Sequence, residues 1–253
     1  MSDVLRLAFG TLTVLPVRPP VTVDRRTAGF AMSLAPLTGA VLGGVATALV
    51  WSTAERAGPL LSATLAIAVL AVGSRLLHWD GLADTADALG SRKPADEALA
   101  IMRRSDIGPF GVVAIVLLLA VQVTALAQLA GSGTGPSGVL VATVLSRWAL
   151  TLGCSWSQRP GRADGLGNRV VGSVTPSLLA AAAALTAGVV AAVVALAPGL
   201  GWVAAAVATG AVTLWCVLAS GFLTRRLGGL TGDTLGALAE SSAALALVVL
   251  VLV

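Results

Sequence analysis

The chain has 253 residues, of which 57% are hydrophobic and 11% charged, against about 25% charged in an ordinary soluble domain. That balance excludes a water-soluble globule and leaves no stretch for a separate soluble module, so residues 1–253 read as a single membrane-embedded, all-α domain in a lipid bilayer. The formal charge of +4 is then a topology signal in the loops, not a nucleic-acid-binding surface.

Met1–Pro20 carries charges and three prolines in place of a basic start, an apolar stretch and a small-residue cleavage site, so no cleavable signal peptide is expected. Within it, Val4–Val17 is apolar but too short to cross, which predicts an interfacial or partly re-entrant segment. A crossing helix needs about 20 mostly apolar residues. Seven stretches qualify, at 28–51, 58–77, 109–131, 136–157, 176–197, 201–223 and 235–253. Pro59, Pro109, Pro136 and Pro176 each open one, where proline's missing N–H does no harm. Gly39 and Gly43 in the first span have the small-residue spacing that lets helices approach closely. Cys154 and Cys216 lie in spans without a partner cysteine or metal-ligand spacing and read as packing residues.

The connections alternate. Ser52–Ala57, Ser132–Gly135 and Pro198–Leu200 are short and nearly uncharged, whereas the intervening ones are longer and basic. Of the 16 Lys and Arg, all but Arg56 and Arg147 fall on or near one side. By the positive-inside rule that side is cytoplasmic, which puts the N-terminus in and Val253 out across seven spans of the cell membrane.

Four polar segments share the basic side. In His78–Asp87, the carboxylates of Asp80, Asp84 and Asp87 stand at i, i+4 and i+7, on one helical face. Like charges so spaced need a shared cation or a proton, and oxygen ligands beside phosphate suit Mg²⁺. His78, the one histidine of the chain, adjoins them as a candidate general base. In the second segment, Arg103 and Arg104 precede a glycine-punctuated helix start, Gly108–Gly111, that could hold phosphate through guanidinium forks and free backbone N–H groups. The third is a flexible glycine loop with Arg162. The fourth, Gly228–Ala237, supplies Gly229, Thr231, Gly232 and Asp233 at the opening of the last span. Glu240 follows on the same face, and with Arg147 it is an ionisable group at membrane depth, which implies a partner or a role. Since both segments lie on one side, Asp233 and the cluster at Asp80–Asp87 are expected to form one site.

HWDGLADTADAL, IMRRSDIGPFG, RADGLG and GGLTGDTLGA, in this order on a seven-span scaffold, resemble the cobalamin synthase (adenosylcobinamide-GDP ribazoletransferase) family across essentially the whole chain. The resemblance implies a Mg²⁺ enzyme at the membrane that joins adenosylcobinamide-GDP to α-ribazole or its 5′-phosphate and releases GMP. It implies a metal site at Asp80, Asp84, Asp87 and Asp233. Substrate contacts follow at Arg103, Arg104, Arg162, Gly229, Thr231 and Gly232, and a base among His78, Asp84 and Asp87. This chain departs from many members in two places. Arg103-Arg104-Ser105-Asp106 stands where they carry Lys-Asp-Ser-Arg, and Thr13-Val14-Leu15-Pro16 lacks their arginine.

Two other Mg²⁺ enzyme types fit less well. A CDP-alcohol phosphotransferase needs Ala-Arg where Asp84-Thr85 stands, and a prenyltransferase needs a second Asp-rich motif where Asp233 stands alone. A transporter would use Glu240 and Arg147, but the outer loops offer no matching gate.

Overall fold

The computed structural model of the protein describes all residues except Ser105, in the Arg103–Asp106 run, and Pro198, in the Pro198–Leu200 connection. Among the described residues there are twelve helices and two isolated bridges, Ser155 with Val174 and Pro160 with Leu230. The helices are α1 (Asp3–Leu12), α2 (Arg25–Ser33), α3 (Ala35–Ala57), α4 (Pro59–Gly73), α5 (Leu77–Gly90), α6 (Ala95–Ile101), α7 (Pro109–Gly131), α8 (Gly135–Gly153), α9 (Gly165–Val170), α10 (Pro176–Leu196), α11 (Trp202–Leu227) and α12 (Gly232–Leu252).

Each expected span corresponds to a helix, and a proline stands in the first turn of α4, α7, α8 and α10. By length and composition, α3, α7, α10, α11 and α12 can cross a bilayer unaided. α4 does so only together with α5, to which it is bent by 88°, because its 15 residues reach about 22 Å at 1.5 Å per residue. α8 is 19 residues long, but Arg147 and its polar neighbours dilute its apolar content; it is buried along nearly its whole length by its neighbours. The structure thus has five evident crossings, or six with the bent pair. The first span starts later than expected. Leu34 leaves helical geometry (φ −91°, ψ 2°), and Pro36 lies in the first turn of a new helix, so 28–33 belongs to α2 instead.

α3 packs most extensively on α8. A Cβ at Gly39 would lie 2.7 Å from the Thr143 carbonyl oxygen, and one at Gly43 2.9 Å from a Leu140 methyl, so the small-residue pair is what allows the approach. α1 buries Leu7, Ala8 and Leu12 against the bundle end. Beyond it, the Val14 N–H donates to the Gly73 carbonyl at 2.7 Å, tying this segment to the end of α4.

Arg75 (φ 56°) and Leu76 (φ 59°) both take left-handed backbone, each at a cost of roughly 1–2 kcal/mol. Arg75 compensates by donating to the carbonyls of Gly10 and Thr11. The double kink throws α5 sideways across the bundle end. Its first turn meets the start of α12 and its last turns the start of α7.

Candidate functional site

α5 and α12 touch backbone to backbone. A Cβ at Gly81 would lie 2.6 Å from the Asp233 carbonyl oxygen and 2.9 Å from its Cα; one at Gly236 would lie 3.0 Å from the Cα of His78. Only glycine permits this crossing, and it sets the turn carrying Asp80 beside the helix start carrying Asp233. That start is well formed: Thr231 and Thr234 make a capping box, and Thr231 Oγ1 also reaches Asp233 Oδ2 at 3.3 Å.

The loop after α8 is drawn to the same place. The Gly161 N–H donates to the Leu230 carbonyl at 2.8 Å, and the Leu230 N–H to the Arg159 carbonyl at 2.9 Å. A Cβ at Gly229 would lie 2.5 Å from the Gly161 nitrogen, and one at Gly167 2.6 Å from the Gly232 nitrogen. These glycines therefore serve chain-to-chain approach. Gly232 itself has open space where a Cβ would be and faces a cavity. The result is to deliver Arg162, whose Nη1 donates to Asp233 Oδ2 at 3.1 Å and Nη2 to the Leu99 carbonyl at 2.9 Å. Its Nε is buried and has no partner among the described residues.

A cavity of about 290 Å³ opens here. Polar His78, Asp80, Arg162, Asn168, Thr231 and Asp233 and apolar Leu12, Met32, Leu150, Val170 and Leu235 all line it. Beyond Arg162 lies a groove of about 260 Å³ that Arg162 shares with Arg103 and Asp96. Across α5, a third space of about 190 Å³ is lined by Asp84, Asp87, Arg104, Asp106 and Gly108. Exposure falls along α5, from open Asp80 through half-buried Asp84 to buried Asp87. Burial, then the negative charges of Asp80, Asp233 and Asp87, push the Asp84 carboxyl up to about 7. Such a surplus of negative charge favours a cation. Among the described residues, no three of His, Cys, Asp and Glu converge closely enough to hold a metal alone. The acids could hold Mg²⁺ only jointly with phosphate oxygens, which is its usual habit.

Other expected site residues have further attachments. Asp87 accepts from the Gly108 N–H at 2.7 Å and the Gly111 N–H at 2.9 Å, so the backbone donors expected to be free for phosphate are taken. Side chains at 108 and 111 would overlap that carboxylate, which accounts for both glycines. Arg103 pairs with Asp164 at 3.1 Å on an exposed surface. Arg104 lines the smallest of the three spaces with Asp84. The His78 ring lies between the cavity and the bundle core, with Nδ1 3.9 Å from Glu240 Oε1 and neither nitrogen hydrogen-bonded among the described residues.

Sequence reasoning missed the apolar wall, because Leu12, Met32 and Leu150 carry no signal that separates them from other packing residues. It also missed Gln122, which donates to Glu240 Oε2 at 3.0 Å; a polar residue inside an apolar span was the available clue.

Residues 4–251 match the cobalamin-5-phosphate synthase family. A protein of Frankia casuarinae named adenosylcobinamide-GDP ribazoletransferase is 40% identical, over 97% of this chain and 93% of its own length. Proteins of the same name from a Nocardioides species and from Corynebacterium efficiens are 41% and 36% identical, covering 95% and 96% of this chain and 94% and 89% of theirs. No solved structure matches. With the match running essentially end to end, the chain belongs to the cobalamin-5-phosphate synthase family.

Proposed function

We propose that this protein is a Mg²⁺-dependent adenosylcobinamide-GDP ribazoletransferase of the cell membrane, acting at the cytoplasmic face of a seven-span bundle with its N-terminus inside. Relatives alike over nearly their whole length bear that name. The observation that carries the reading is the meeting of Asp80 and Asp233 across the Gly81 contact, with Arg162 anchored on Asp233.

The acceptor hydroxyl attacks the phosphorus bearing the cobinamide. A new P–O bond forms, the bridging P–O bond breaks, its oxygen leaves with GMP, and the hydroxyl proton passes to solvent. Such chemistry is mostly positioning and charge neutralisation. Asp80, Asp84 and Asp233 would hold Mg²⁺, which when bound neutralises the diphosphate. Arg162 is oriented by Asp233 and the Leu99 carbonyl, and its unpartnered Nε is left for a phosphate oxygen. Asp87 positions α7 against α5 and so fixes the shape of the acid face.

The test is direct. Purified protein in detergent, given adenosylcobinamide-GDP, Mg²⁺ and α-ribazole or its 5′-phosphate, should release GMP, and chelation should stop it. Because detergent abolishes compartments, turnover also excludes transport. No GMP with either acceptor would overturn the reading.

A further inference from the structure

The three spaces around the acids differ in kind, and the difference assigns the substrates. The 290 Å³ cavity is lined both by apolar Leu12, Met32 and Leu150 and by polar Asp80, Arg162 and Asp233. The ends of α1 and α2 supply Leu12 and Met32 to it. The groove beyond Arg162 instead opens outward and is bordered by Asp96, Arg103 and Arg162. Arg162 lines both and stands as a partition between them.

Resting on the transferase reading above, we infer that this cavity, the less open of the two spaces, is the acceptor subsite. There the flat, apolar heterocycle of the riboside lies against Leu12, Met32 and Leu150, and the leaving nucleotide occupies the groove beyond Arg162. A corrinoid ring is too large to enter the cavity, so only the small acceptor can use it, and its benzimidazole suits a wall without hydrogen-bonding groups. Small-molecule sites are characteristically apolar with a few placed polar groups. Burying the ring there points the ribose toward the acids. Phosphoryl transfer needs attacking and leaving oxygens roughly in line. A partition with the acceptor on one side and the nucleotide on the other provides that arrangement, with the phosphorus beside Arg162. The wall also sets specificity. A purine ring brings polar nitrogens that the leucines and methionine cannot satisfy, and each unmatched buried polar group weakens binding.

The test has a binding arm and a kinetic arm. In the first, α-ribazole alone is titrated into detergent-solubilised protein and followed by its ring fluorescence. Binding should saturate, GMP should not displace it, and Met32→Gln and Leu150→Asn should each weaken it tenfold or more. In the second, the acceptor KM should rise tenfold or more in these variants, while the KM for adenosylcobinamide-GDP stays within threefold. Wild-type protein should prefer the benzimidazole riboside over a purine riboside at least tenfold in kcat/KM, a comparison that needs no variant. Displacement by GMP, a shift in the donor KM instead of the acceptor KM, or equal use of the purine riboside would overturn the assignment. GMP release with an unaltered acceptor KM in the variants would sink the subsite and leave the transferase standing. Saturable riboside binding without turnover would do the reverse.

Discussion

Two groups of ionisable residues lie close together on α5, α8 and α12 and are treated in opposite ways. In the bundle core, Glu240 accepts from Gln122 at 3.0 Å and shares a cavity of about 30 Å³ with Arg147, whose Nη1 reaches Ser146 at 3.0 Å. Opposite charges are gathered there and sealed from solvent, as membrane depth demands. At the bundle end, Asp80, Asp84 and Asp233 are set near one another with Arg162 as the one cation paired to them among the described residues. The first group is packed away in the core, with only Arg147 Nε left without a partner among the described residues. The second is incomplete and opens onto cavities. Intramembrane charge alone therefore does not mark a site; uncompensated charge facing a cavity does.

The largest effect should come from removing charge at the incomplete group. Asp84→Asn should lower the rate of GMP release by about 10³-fold, or ~4 kcal/mol of transition-state stabilisation, while the protein still inserts and elutes as before. Near-normal turnover would erase the distinction between the groups. Glu240→Leu should do the opposite. It leaves Arg147 buried without its counter-charge, which costs about 3–5 kcal/mol of stability and should appear as lost thermal stability in detergent. Adding Arg147→Met should recover part of it; no recovery would mean that the two charges do not compensate each other.

Arg162→Lys keeps the charge but not the fork that spans Asp233 and the Leu99 carbonyl. One charge-assisted bond is worth about 1.5–3 kcal/mol, so activity should drop roughly 10- to 100-fold. Lys93→Gln, at an exposed pair with Glu97, should change activity by no more than about twofold, since such pairs are worth about 0–1 kcal/mol.

A pH titration sharpens the contrast further. The Asp84 carboxyl, raised to about 7 from an ordinary 3.8, keeps a proton that the unfolded chain has already released in that window. Metal-free protein should therefore lose stability as pH rises from about 4 through 7. Mg²⁺ favours the ionised carboxylate and should flatten the slope, and an Asp84→Asn variant should lack this contribution. A wild-type slope of opposite sign without metal would contradict the crowding of the acids.

Much of this was legible in the sequence. Apolar length and opening prolines located a helix for each expected span, of which five can cross unaided and a sixth as the bent α4–α5 pair, and α7 runs from 109 to 131 as expected. Charge bias alone brought Asp233 to the Asp80–Asp87 segment. The sideways course of α5 was not legible, because Arg75 and Leu76 are not residues that announce a left-handed turn. The partnership of Asp87 with Gly108 and Gly111 was hidden for a different reason: it depends on packing between two helices. Gly39 and Gly43 were read correctly as a site of close helix approach, whereas Gly229 was expected at the substrate; at Gly81, Gly161, Gly167 and Gly229 the approaching group is another stretch of backbone. Composition gives the freedom; only the fold names the neighbour.

The central claim is that acids from α5 and α12 act as one centre, and a double-mutant cycle on Asp84→Asn and Asp233→Asn tests it most directly. With GMP release as the readout, members of one catalytic unit are strongly non-additive, so the double variant should be no more than a few-fold slower than the worse single variant. Losses that multiply in the double variant would mean independent sites and would contradict the account.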